Sequence, residues 1–522
     1  MISSPEALYE RERVFNRNQS AASPGLGVSF SGGGNRSAAF AIGVLRALHE
    51  SGVLAKVDVI SAVSGGSYAL SWFLSQPLYH RATLDNPKAM LGKVQHEMFD
   101  LNGPFQRHLV ERAKPFHASS LFTLFALVAL MLPFDLVFFN ALRVFSMPLS
   151  SGSGAARLAN LLNAMSMARS SYREGIQATY QVFPDRDNRA PAEALSIWDR
   201  GFIASEHLDL TAWDVPAVSF ATMRDFASRA GLPSFVFNTT VSPPAPATGA
   251  PLGDRIFELG PIGLGSNSCG YLTWEETEGL GWEPGAPVEK DWMRSRFRAS
   301  DDRFGAASPY ATIRNFNVAP AISGAALSGT NIEARNMRWL LRLLNMGLEY
   351  VVPSPADRAR AVRLSDGGHS ENLGAYALLR RGCRTIVIVD AEHDPHYQFG
   401  AYDKLKRAAA AELDVEIAVP ELDRILTGAA AFSPATPILR GTTRGRQHQG
   451  TLHYIKLCAH ADWLGDQAED VNLYARKHSR FPQEPTIDQY FQAAQFRAYR
   501  GLGYSVASWN GAPWMTKSWM CE

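Results

Sequence analysis

The chain has 522 residues, 46% hydrophobic and 19% charged, with a formal net charge of +1 at neutral pH. That length and apolar content exclude a disordered protein and allow one large domain with insertions or two to three domains. The balanced charge excludes a strongly basic field, so no nucleic-acid partner is expected.

Residues 1–25 are polar and read as a mobile N-terminal arm. They show no apolar core after a basic start, which argues against a secretory signal and for a cytoplasmic location. Leu26–Phe30 reads as a buried strand that ends in Gly32, Gly33 and Gly34, and Ser37–Glu50 as a helix with one apolar face. Val57–Ala62 is a second strand, Ser64–Gly66 a turn and Ser67–Leu74 a helix. Alternation of strand and helix predicts an α/β fold with a mainly parallel sheet.

An apolar interruption follows. Leu121–Leu132 contains only apolar residues and Thr123, Pro133-Phe134-Asp135 breaks the run, and Leu136–Phe145 forms a second apolar arm. Ala155–Tyr180 reads as helical, Ser234–Val241 as a strand and 242–253 as a loop. Met337–Tyr350 carries a helical stripe. Arg363–Ser365 reads as a short strand before Asp366, Thr385–Asp390 as a buried strand and Tyr490–Gly501 as a late helix. The cysteines Cys269, Cys383, Cys458 and Cys521 lie far apart without metal-type spacing and read as thiols in a reducing compartment.

Ser64 is the candidate nucleophile. A serine hydroxyl needs a base within hydrogen-bond reach and donors for the oxyanion it generates. Ala62-Val63-Ser64-Gly65-Gly66 fits a sharp strand-to-helix turn that exposes such a hydroxyl. The Gly32-Gly33-Gly34 loop opens a helix, so its N–H groups can converge on an anion. It completes neither GxGxxG nor GxxxxGK[ST], which argues against a nucleotide loop. Two bases remain open: a histidine, with His393 the best placed after a strand end, or Asp366 acting directly on Ser64.

Ser-Gly-Gly-Gly-Asn-Arg (31–36), Val-Ser-Gly-Gly-Ser (63–67) and Ser-Asp-Gly-Gly-His-Ser-Glu-Asn-Leu (365–373) together resemble the patatin-like phospholipases, most of all their cytosolic phospholipase A2 branch. Order and context match over roughly 26–75 and 361–395, with weaker similarity in Phe235–Thr240 and Ala319–Ala325. The resemblance implies a three-layer α/β/α sandwich and hydrolysis of lipid acyl esters through a Ser64–Asp366 dyad. It assigns Gly32, Gly33 and Gly34 to the oxyanion loop and Arg36 to the substrate head group; Gly65, next to Ser64, is a further expected oxyanion donor, and the chemistry needs no metal or other cofactor. Ala62 departs from the glycine that patatins carry there. Acyl transfer or neutral-lipid hydrolysis on the same dyad, and a non-catalytic membrane scaffold, are the alternatives.

The resulting expectation is a single catalytic domain over 26–522 with an apolar helical hairpin inserted at about 119–146. Ser64 precedes that hairpin and Asp366 follows it, and a single membrane crossing would separate them. A hairpin that dips into or lies along one leaflet, or a buried pair of helices over the active site, satisfies both; the first gives a lipid substrate and peripheral membrane association.

Overall fold

The computed structural model describes residues 4–13, 24–112, 173, 175–184, 188, 218–242, 250–277, 311–325, 350–357, 361–446, 449–464, 468–486 and 491–515. Residues 119–146 therefore lie outside the described residues, as do 155–172 and 337–349 of the two expected helices. Among the described residues no helix is long and apolar enough to cross a membrane.

The strands β1 (Leu26–Phe30), β2 (Val59–Val63), β3 (Ser234–Ser242), β4 (Ile256–Leu259), β5 (Gly263–Ser266), β6 (Gly270–Thr273), β7 (Tyr350–Pro353), β8 (Ala361–Asp366), β9 (Thr385–Asp390), β10 (Val415–Ala418), β11 (Ile438–Gly445) and β12 (Gln449–Lys456) join in one mixed sheet. Its main order is β10-β11-β12-β9-β1-β2-β3-β4-β5-β6, with β8 also on β3 and β7 on β8. The five central strands, β12, β9, β1, β2 and β3, run parallel. The outer additions are antiparallel.

Successive side chains of a strand point to opposite faces, and both faces of the central strands are apolar. In β9, Val387 and Val389 enter one core while Ile386 and Ile388 enter the other. The first core is closed by α2 (Gly34–Glu50) and α3 (Gly65–Tyr79), through Phe40, Val44 and Phe73, together with helices Phe220–Ala230 and Ala493–Ala507. The second is closed by helices Tyr376–Arg380, Gly400–Leu413 and Pro420–Leu426, through Tyr376, Leu378, Tyr402, Leu405 and Leu422. Each fully buried Val, Ile or Phe contributes about 1.5–3 kcal/mol. The three-layer α/β/α sandwich is thus the direct result of strands that are apolar on both sides.

The expected strands and helices around Ser64 and Asp366 form with ends shifted by a few residues. The expected mobile arm does not hold for Pro5–Arg13, which is a helix (α1) with Leu8, Tyr9 and Glu12 buried. Leu8 packs with Ile262 and Tyr271. Glu12 accepts from Arg381 at 2.8 and 3.0 Å, Arg381 also pairs with Glu258 at 2.9 Å, and Tyr9 donates to Glu258 at 3.1 Å. The polar residues that suggested a solvated arm are partners of a buried arginine. Tyr350, expected to end a helix, starts β7. Cys269, Cys383 and Cys458 are buried free thiols.

Candidate active site

Strand β3 brings the distant motifs together. Its edge pairs with β2 up to Val63↔Asn238 and with β8 from Thr239↔Asp366 onward. Because β4 pairs with Phe237–Thr240, overlapping both, it must occupy the opposite edge, so β2 and β8 share one edge end to end. The residue after Val63 is Ser64, and the first β8 partner is Asp366. Their meeting point is therefore set by ladder register.

Ser64 sits between β2 and α3 with φ 50° and ψ −121°. A non-glycine residue in that region costs about 1–3 kcal/mol and persists only when its surroundings fix it. Here the Ser64 N–H donates to Ser323 Oγ at 2.9 Å, and the Ser64 carbonyl accepts from Ser67 N–H at 2.9 Å. Ser323 Oγ also accepts from Ser67 Oγ at 2.8 Å and donates to the Asn238 carbonyl at 2.7 Å, which uses its full capacity. Asn238 Nδ2 in turn donates to Ser61 Oγ at 2.8 Å and to the Ala62 carbonyl at 3.0 Å. The turn is thus tied to β3 and to helix Ala319–Ser323. Any side chain on Gly65 would collide with the Gly34 backbone, so the first residue of α3 must be glycine for the two loops to touch.

Ser64 Oγ donates to Asp366 Oδ2 at 2.8 Å, and Asp366 Oδ1 accepts from Gly368 N–H at 2.7 Å. Asp366 is only 6% exposed. Burial pushes its carboxyl up to about 6 despite the hydrogen bonds from Gly368 and Ser64, which pull the other way. It is therefore mostly ionised at neutral pH but far more basic than an ordinary aspartate. His393 lines the same cleft and makes no hydrogen bond to Ser64 or Asp366; burial, then Arg36, lowers its basicity. His369 is pulled down to about 4 by burial and by Arg255 and Lys404.

The glycine loop divides into two parts. Gly32 N–H already donates to the Asn372 carbonyl at 2.8 Å, so this donor is occupied, contrary to the expectation that Gly32 faces an oxyanion. Gly33 has φ 145°, and a Cβ there would stand 2.7 Å from the Ala391 carbonyl. Gly34 begins α2, where the first N–H groups have no intrahelical acceptor. Gly33, Gly34 and Gly65 thus place backbone donors at two helix starts that touch beside Ser64.

Arg36 departs from its expected head-group role. It is 2% exposed. Its Nε donates to the Ala391 carbonyl at 3.0 Å and its Nη2 to Thr486 Oγ1 at 2.9 Å, and its Nη1 donates to the Glu484 carbonyl. The guanidinium fastens two backbone segments together. The sequence around Arg36 carried no sign of this, because residues 484–486 return from the far end of the chain.

Ser64 and Asp366 open into a cleft of about 390 Å³, whose wall also includes His369, Asn372, Glu392, His393, Lys404 and Thr486. Of the residues that fix the site, Ser323, Asn238 and Asn372 were not singled out by sequence. The first two lie in the segments of weaker resemblance. A hydroxyl paired with a basic carboxylate, beside unpaired N–H groups, is equipped for acyl transfer.

Residues 28–233 match the family model described as patatin-like phospholipase. No curated protein sequence matches the chain. Among solved structures, human GIVD cytosolic phospholipase A2 aligns with a TM-score of 0.53 at 10% identity, over 96% of this chain and 65% of that one. The same human enzyme in complex with methyl gamma-linolenyl fluorophosphonate aligns at 0.47 and 13% identity, over 97% and 62%. The chain therefore spans just under two thirds of that enzyme's length, and the first alignment shows a shared fold.

Proposed function

We propose that the chain, whose residues 28–233 match the patatin-like phospholipase family model, hydrolyses fatty-acyl esters of lipids through Ser64 and Asp366. The observation that carries this reading is the 2.8 Å hydrogen bond from Ser64 Oγ to a buried carboxylate whose basicity is raised to about 6. Ser64 Oγ attacks the ester carbonyl as its proton passes to Asp366 Oδ2. The N–H groups of Gly33, Gly34 and Gly65 hold the oxyanion, stabilised further by two helix starts. Collapse breaks the ester C–O bond, the Asp366 proton goes to the leaving alcohol, and an acyl-Ser64 ester remains. Water, losing its proton to Asp366, then releases the fatty acid and restores Ser64.

The raised basicity suits the role, since a base near the operating pH combines the right protonation state with proton-transfer drive. The fold shared with a human phospholipase A2 supports the lipid side of the reading. The apolar segment 119–146 supports action at a membrane surface, from a cytoplasmic location. A fluorophosphonate probe that labels the wild type but not Ser64→Ala, together with lipid profiling of both proteins on mixed phospholipid and glyceride vesicles, tests the proposal. Equal labelling of the two proteins would refute it.

A further inference from the structure

We infer that the ammonium of Lys404 binds the phosphate of an anionic ligand, a lipid head group whose acyl ester lies at Ser64. This rests on the reading of the Ser64 cleft as an acyl-ester site and names the class of ester it takes.

Lys404 lies on helix Gly400–Leu413 and lines the cleft with Ser64, Asp366 and Gly33. The helix carries two other basic side chains, and both are paired. Lys406 Nζ meets Asp423 Oδ1 at 2.6 Å and Arg407 Nη2 meets Asp403 Oδ2 at 2.6 Å. Among the described residues Lys404 makes neither an ion pair nor a hydrogen bond. The carboxylate that acts on it, Glu371, is committed elsewhere: it accepts from Leu373 N–H at 2.6 Å and from Tyr376 N–H at 3.3 Å.

The surroundings strengthen its pull on an anion. Arg255, which donates to the His369 carbonyl at 2.9 Å, adds positive charge beside Lys404, and burial together with the two cations holds His369 neutral at physiological pH. Glu392 lines the same cleft and accepts from Asn372 Nδ2 at 3.0 Å. Burial, then Asp390, raises its carboxyl to about 7, so it is partly protonated at neutral pH and opposes an entering phosphate only weakly. Arg36, the other basic residue near the glycine loop, has its guanidinium bound to two carbonyls and a hydroxyl. In a glycerophospholipid the phosphate is a few bonds from the acyl ester, and Ser64 and Lys404 line the same cleft. An ammonium is a compact charge suited to a phosphate oxygen.

The test compares dihexanoyl phosphatidate with dihexanoylglycerol, which has the same esters and no phosphate. Lys404→Met should lower the ratio of their kcat/KM values about ten- to hundredfold, mainly through KM, as expected for losing one charge-assisted contact. Lys404→Arg should keep most of the ratio. In a second arm, Ser64→Ala protein is titrated calorimetrically with dihexanoyl phosphatidate and with inorganic phosphate. Binding of both, lost on adding Lys404→Met, assigns a site for phosphate in general; binding of the lipid alone assigns a head-group site. An unchanged substrate ratio, or calorimetric binding indifferent to Lys404→Met, overturns the inference. Absence of turnover by the wild type with Lys404-dependent binding intact would instead refute the esterase reading and leave the anion site standing.

Discussion

Replacing Asp366 by asparagine should destroy turnover and stabilise the fold. The side chain keeps its shape, and Oδ1 can still accept from Gly368 N–H, so the change removes charge and basicity more than packing. Burial raises the carboxyl from its ordinary value of 3.8 to about 6, which corresponds to a penalty of about 3 kcal/mol on the ionised form in the folded state. The sign follows from proton binding. The folded state holds this proton more tightly than the unfolded chain, so the protonated group's contribution to stability is complete below about 3.8 and is lost as pH rises through about 6. At neutral pH the wild type bears the full penalty and Asp366→Asn does not. Urea denaturation should show the variant more stable by up to about 3 kcal/mol at pH 7, with the difference closing toward about pH 4. Removal of the general base should lower kcat by at least about 10²–10⁴-fold. A variant less stable than wild type at neutral pH, or a stability difference independent of pH, would refute the reasoning that the buried charge is held at a cost. Turnover above about a tenth of wild type would remove Asp366 from the base role.

The wild-type kcat/KM on a soluble ester should fall about tenfold per pH unit below about pH 6, as Asp366 takes up its proton; a profile flat down to about pH 4.5 would contradict the raised basicity. Ser323→Ala removes the acceptor of the Ser64 N–H. It should lower kcat more than KM and cost about 1–3 kcal/mol by leaving a buried donor unpaired, read from kinetics and from the denaturation midpoint. Arg381→Met leaves Glu12 and Glu258 facing each other without their shared cation and should cost about 3–5 kcal/mol of stability, measured by denaturation. Fluorophosphonate labelling per folded molecule should stay unchanged in that variant, since the cluster lies away from the cleft.

The parallel core was legible because β1, β2, β9 and the first half of β3 are mostly apolar, buried runs bounded by glycine or polar turns, as doubly covered strands require. The antiparallel flanks were not. β11, Ile-Leu-Arg-Gly-Thr-Thr-Arg-Gly, is partly exposed and mixes polar and small residues, and β4, β5 and β6 are four residues each. Such strands gain their order from neighbours more than from their own pattern. Around the site, Ser64 and Asp366 stood out because nucleophile turns have a local signature. Ser323 did not, because its role depends on where helix Ala319–Ser323 lands on Asn238. The same reasoning explains Arg36 and Glu12. A charged residue in sequence looks solvated until the fold delivers its partner, from residues 484–486 for one and Arg381 for the other.

The shared edge of β3 has a consequence for how this chain can be altered. The spacing between hydroxyl and carboxylate is measured across a hydrogen-bonded ladder, by Val63↔Asn238 and Thr239↔Asp366, and not along the backbone. The connections between β4–β7 and helix Ala319–Ser323 within 243–360 can therefore lengthen, shorten or be exchanged without shifting the two groups, provided those elements and Ser323 keep their places against β3 and β8. The entropic toll of a longer connection grows only with the logarithm of its length. A chain built this way can diversify what surrounds its cleft while the reacting pair stays in register.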